Sequence, residues 1–253
     1  MRVWPIIGAA LLLAACSHPP DAIQTASNAA HTAADQFATL AKPSLTNGQP
    51  PRQTDPAAGP LLDAIFNTGV LQSSPTADDL DAINDWLSSC LKAGQVYMLA
   101  GTGLTDINSA DATGQAKIGQ NLAAFAPEFG RFIDAELVIE GAEAASVMQS
   151  LAANPDTAKN PQSAQGFDKV RAGIEQTAGG VITTVSGPGL PNDWREARAR
   201  SLLAFAARAA PFLNDAQKQA LATAATQAAQ SSDDPQLASL LSQFAVAIGA
   251  KPA

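Results

Sequence analysis

From Leu61 onward the apolar residues return every three or four positions and almost never alternate, a period that helices bury and strands do not. Thr76, with Asp79 three residues later, resembles a capping box and opens a helix over about 77–100 that stops at Gly101. A second pattern covers about 110–125. Pro127 suits the first turn of a third helix, extending to about 153, with Phe129, Phe132, Ile133, Leu137, Val147 and Leu151 along one side. Phe167, Val170, Ile174, Val181 and Val185 mark a helix over about 162–185. Past the breaking loop 186–191, Asn192 or Asp193 caps a helix over about 193–213. Asn214 with Gln217 starts an Ala-rich helix, and Asp234-Pro235 starts the last. Residues 61–249 are therefore expected to form an all-α bundle of about six or seven helices, followed by a tail, 250–253.

Composition says how such a bundle must pack. Alanine supplies 54 of the 253 residues and aromatics only 5%. Ala favours helix but buries little area, so closely approaching axes have to substitute for large side chains. The formal net charge of −8 argues against nucleic acid as a partner, because phosphates would be repelled. The charge is uneven: residues 55–143 hold 13 acidic and 3 basic side chains, residues 144–253 hold 8 and 9. That asymmetry predicts that the two stretches dock on each other.

The start of the chain follows different rules. One positive charge at Arg2 precedes a short apolar stretch, Val3 to Leu13, of signal-peptide length and too short to span a bilayer. The residues Leu13-Ala14-Ala15-Cys16 resemble the lipobox of bacterial lipoproteins, and polarity rises abruptly at Ser17. The resemblance implies removal of a signal peptide, 1–15, and a diacylglyceryl group on Cys16 as the new amino terminus. Two or three acyl chains there would hold the protein to a bilayer, at about 0.8 kcal/mol per buried methylene. Ser17 instead of Asp after the cysteine implies, by the same resemblance, a periplasm-facing place in the outer membrane rather than retention in the inner one. Residues 16–41 then form the lipidated terminus and a membrane-proximal helix, with Ile23, Ala26, Ala30, Ala33, Phe37 and Leu40 at helical spacing. Residues 42–60, with five prolines and two glycines, read as a linker between that helix and the domain.

Chemistry is scarce. Both histidines, His18 and His31, precede the linker, which removes Ser-His-Asp and Cys-His catalysis, His-based zinc sites and Glu-x-x-His di-iron pairs from the domain. There is no Gly-x-Ser-x-Gly elbow and no P-loop. No catalytic residue, cofactor or metal is expected, and the chain is read as a non-enzyme. Cys90, with no partner once Cys16 is lipidated, falls on an apolar helix face and reads as a small buried hydrophobe.

One constellation stands out. With Phe129 set at 0°, Glu136, Glu140 and Glu143 fall at about 340°, 20° and 320°, inside the apolar stripe. On the 193–213 helix, Arg198 and Arg208 share a face with Trp194, Phe205 and Phe212. An isolated buried charge costs several kcal/mol, so the reading is that the glutamates face the arginines as an ionic layer. The alternatives are a polar pocket for a small charged ligand, or carboxylate metal ligation without histidine. The function expected is a membrane-anchored lipoprotein acting as a non-catalytic interaction or assembly module with an envelope protein partner. The alternative is a small-ligand-binding lipoprotein with a charged pocket between helices.

Overall fold

Ser27 Oγ donates to the Ala82 carbonyl at 2.6 Å, Lys92 pairs with Asp35 at 2.5 Å, and Phe37 stacks on Tyr97 at 6.0 Å. The numbers on both sides of these contacts rise together, so the helices that carry them, α1 (Ala22–Ala41) and α4 (Leu80–Leu99), run parallel. The computed structural model describes residues 22–72 and 75–249. Among them are ten α-helices and no strand. The others are α2 (Ser44–Asn47), α3 (Gly59–Phe66), α5 (Ala112–Ala124), α6 (Ala126–Ala153), α7 (Pro161–Ser186), α8 (Asn192–Ala209), α9 (Asp215–Ser231) and α10 (Pro235–Ala247). The all-α class is as expected; the helix count is higher because α1 joins the bundle and short α2 and α3 form ahead of α4. None of the described helices is long and apolar enough to cross a membrane.

The 28-residue α6 is the spine. On one side α4 packs against it and carries α1 and α3; on the other α8 packs against it and carries α10. Helix α7 packs on α6 and α8, and α9 closes the C-terminal end against α7 and α10. The helix starts follow their caps: Asn160 accepts from the N–H groups of Gln162 and Ser163, Asn214 from Gln217, and Asp234 from Gln236 and Leu237. The Asp79 carboxylate accepts from both the N–H and the hydroxyl of Thr76 ahead of α4. Trp86 and Tyr97 are fully buried, and each hands its polar group to a carbonyl, Ile65 O at 2.8 Å and Pro51 O at 2.8 Å.

Two expectations about the N-terminal part are corrected. The helix 22–41 does not stand apart from the domain: Ile23, Ala30, Ala33, Phe37 and Ala41 are core residues shared with α3 and α4. Nor is 42–60 a spacer. Gly101 and Gly103 N–H groups donate to the carbonyls of Ser44 and Leu45, both at 3.0 Å. Gly48 and Gly101 approach so closely, each in the left-handed region, that a Cβ on Gly101 would stand 3.0 Å from the Gly48 Cα. Arg52 reaches Glu128 at 3.2 Å and lies 4.4 Å over the Phe125 ring, while the Gln53 N–H donates to the other Glu128 oxygen at 3.1 Å. The physical reason is that prolines bring carbonyls without N–H donors, and the Ser44, Leu45 and Pro51 carbonyls accept from Gly101, Gly103 and Tyr97. Low helix propensity is not low order. The segments 1–15 and 250–253, and Cys16 itself, lie outside the described residues.

Candidate functional site

The three glutamates of the α6 stripe are buried as the helical phase predicts: Glu140 and Glu143 are each 5% exposed and Glu136 is half-buried. The expected ionic layer is not formed. Arg198 and Arg208 do lie on the helix that packs against α6, but on a different side of it. A Cβ on Gly130 would collide with the Arg198 guanidinium, and a Cβ on Gly141 would meet Arg208 Cδ at 3.3 Å. Those glycines fall at about 100° and 120° on the wheel that puts the glutamates around 0°. The wide apolar stripe of α6 is thus two faces, one of small residues for α8 and one acidic, turned toward α4 and α7.

Each arginine has other partners. Arg198 pairs with Asp134 at 2.6 Å, which also accepts from Ser201 Oγ at 2.6 Å, and its guanidinium lies 5.4 Å from the Trp194 ring. Burial pushes the Asp134 carboxyl up, while Ser201 and Arg198 pull it down. Arg208 donates to the carbonyls of Leu71 and Gln72 at 2.8 and 3.0 Å, closing the turn that precedes α4. Asp134–Arg198 is, among the described residues, the one ion pair between the acidic stretch 55–143 and the rest of the chain beyond it. Charge complementarity is therefore not what docks the two stretches; apolar helix faces are.

The acidic face is held differently. Thr177 of α7 places its hydroxyl 2.8 Å from Glu140 Oε1 and 3.3 Å from Glu136 Oε1. Cys90 of α4 is fully buried beside the same two carboxyls, with its sulfur 4.0 Å from the Phe132 carbonyl. Glu140 Oε2 has no hydrogen-bond partner. No described cation lies within ion-pair distance of any of the three.

Burial raises the Glu136 carboxyl from the usual 4.5 to about 7, against the Thr177 hydroxyl, which lowers it. Burial, then the neighbouring Glu136 and Glu143, hold Glu140 well above the ordinary range, and burial alone lifts Glu143 to about 7. The Cys90 thiol is pushed up by burial and by Glu136 and Glu140, so it is an inert thiol. At neutral pH this row keeps part of its protons, and the formal charge of −8 overstates what the folded protein carries.

Chemically, the row can store and share protons. It offers no ligand set for a metal, since no group of three or more His, Cys, Asp or Glu side chains suited to one occurs among the described residues. Glycoside hydrolysis would need two carboxyls converging in an open cleft, whereas these are covered. Two surface grooves lie elsewhere: one between α8 and α10, lined by Leu203, Ser239, Gln243 and Val246, the other between α1 and α4, lined by Ala38, Leu45 and Val96. The sequence reading missed Thr177 and Asp134. The signal for Thr177 was a hydroxyl at about 300°, at the edge of the α7 stripe set by Ile174 at 0°. For α8 it was the pair Gly130 and Gly141, eleven residues or three turns apart on one face of α6. Comparison with protein-family models, curated proteins and solved structures finds no match to this chain.

Proposed function

We propose that this chain is a lipid-anchored envelope protein, held at the periplasmic face of the outer membrane through acylated Cys16. Its helical body then serves as a non-catalytic interaction or assembly module for another envelope protein. The observation that carries the reading is the Leu13-Ala14-Ala15-Cys16 run behind a short apolar stretch and one positive charge. The closed acidic row and the lack of histidine after His31 support a body without catalysis. Because α1 belongs to the body and begins at Ala22, five residues, 17–21, separate lipid from domain. Fully extended, they reach about 20 Å. On this reading the domain works close to its own leaflet, with the N-terminal ends of α1 and α4 nearest the lipid.

The second reading, a small-ligand-binding lipoprotein, draws on one observation, the unpartnered Glu140 Oε2 in the acidic row. Metabolic labelling with a fatty acid tests the anchor: incorporation into the wild type and its loss in Cys16→Ala are expected, and label retained in that variant would overturn it. Crosslinking in membranes followed by affinity purification separates the two roles. A reproducible protein partner is the expected result; a co-purified small molecule without one would replace the module with the binding protein.

A further inference from the structure

We infer that the contact between α6 and α7 at Glu136, Glu140 and Thr177 is a proton-operated latch, closed while the acid pair holds a proton and loosened when the pair loses it. A hydroxyl carries one hydrogen and donates once. Thr177 Oγ1 nevertheless lies within hydrogen-bond distance of both carboxyls, at 2.8 and 3.3 Å. For both contacts to be hydrogen bonds, one carboxyl must be protonated and donate to Thr177, which donates in turn to the other. In either direction the chain of bonds contains one carboxyl proton. Once it leaves, two carboxylates compete for one hydroxyl at the protein interior, and nothing cationic compensates them.

On α7 itself Arg171 is engaged by Asp168 and the Phe212 carbonyl, and Glu175 accepts from Gln217, so that helix brings no free cation to the row. From α4 the row faces Cys90, a neutral thiol that carboxylates drive further from ionising. From α8 come Arg198 and Arg208, on the far side of Gly130 and Gly141 and engaged by Asp134 and by the Leu71 and Gln72 carbonyls. Of the charged groups on the segments packed against the ends of α6, Asp79 is held by Thr76, Asp63 by Arg131, Asp156 by Lys159, and Arg52 by Glu128. Glu143 adds a third acid to the same row.

The α7 side is built to yield. Gly173 and Gly180 fall within about 60° of Thr177 on the helix, and a Cβ on either would meet nothing within 4 Å. The edge of α7 beside the hydroxyl is therefore open, while Ile174, Ala178 and Val181 bury the neighbouring face of the same helix. Loosening the Thr177 contact brings water to the row and to Cys90 behind it. This inference does not depend on lipidation at Cys16.

Cys90 supplies the readout. The full chain and its Glu136→Gln/Glu140→Gln variant are labelled with iodoacetamide between about pH 7 and 9, above the loss of the first proton of the pair, and the Cys90 peptide is quantified by mass spectrometry, which separates it from Cys16. Dividing the two rates removes the general rise of thiolate with pH. Carboxylates beside Cys90 would suppress thiolate in the wild type, so a rising ratio can only come from opening. The ratio of wild type to variant is expected to climb about tenfold over that range, equivalent to one pH-unit shift in a single titration. A constant ratio overturns the latch. Should the double variant fail to fold, Thr177→Val decides: Cys90 labelling faster than wild type already at about pH 7 is expected, and wild-type protection there overturns it.

Discussion

Gly130 of α6 lies directly beneath the Arg198 guanidinium of α8, and the space left by its missing Cβ is what lets Arg198 lie flat between Trp194 and Asp134. Three interactions depend on that vacancy: the Asp134 ion pair at 2.6 Å, the ring contact at 5.4 Å, and the 2.6 Å bond from Trp194 Nε1 to the Ala126 carbonyl. Gly130→Ala is expected to displace the guanidinium and destabilise the fold by about 1–3 kcal/mol despite the better helix propensity of alanine. In an Arg198→Ala background the same change should cost less, the remaining close contact being Trp194 Nε1 at 2.9 Å from the added Cβ. Urea unfolding of the four proteins in a double-mutant cycle measures the coupling; additive effects would contradict the geometry.

Glu143 has no ion pair and is 5% exposed, and its carboxyl is raised from 4.5 to about 7 by burial. The folded state therefore holds a proton that the unfolded chain releases above about pH 4.5. The contribution of Glu143 to stability is greatest below that pH, falls as pH rises toward 7, and levels off above it. Glu143→Gln removes the titration. At about pH 8 it should stabilise the fold by about 1–3 kcal/mol, and below about pH 4.5 the gain should vanish. Chemical denaturation at the two pH values checks the sign, and a gain of equal size at both would refute it.

Arg52→Ala removes the cation beside Glu128, a carboxylate only 4% exposed, and leaves it the Gln53 N–H. Since Arg52 itself is 41% exposed, water partly replaces it. The expected loss is about 1–3 kcal/mol, below the cost of stripping a fully buried pair. Arg52→Lys should recover only part of it, because the ammonium cannot also reach the Ala124 carbonyl with a second nitrogen as the guanidinium does at 3.1 Å. Thermal unfolding ranks the three proteins.

Phe37 is fully buried and stacked on Tyr97. If 22–41 were a detached membrane-proximal helix, truncating Phe37 would leave the domain untouched. As a core residue it should cost about 3–5 kcal/mol when changed to alanine. Calorimetry is expected to show the whole transition moving, not an early shoulder from α1 alone.

Helix boundaries, the stop at Gly101, the burial of Cys90, and the presence of three glutamates within an apolar stripe were all legible from spacing. Periodicity and capping are local, and these features depend on residues within a few turns of each other. The membership of residues 22–60 was not legible, because Pro51, Arg52 and Gln53 are fixed by Tyr97 and Glu128, residues with no sequence relationship to them. Nor was the partner of the acidic row. A helical wheel assigns Glu140 and Gly141 their angles on α6 but does not say which neighbouring helix stands at each angle.

The order of residues alone determined which side chains leave water and where each helix begins and breaks, since 3.6 residues per turn and the terminal N–H groups impose those choices one helix at a time. Only the assembled bundle decided that Arg198 answers Asp134 while Glu136 and Glu140 share Thr177. Helices meet where small residues let their axes approach, and the glycines at 130 and 141 drew α8 to one side of α6. The acids were left on the other side, where a proton takes the place of a cation.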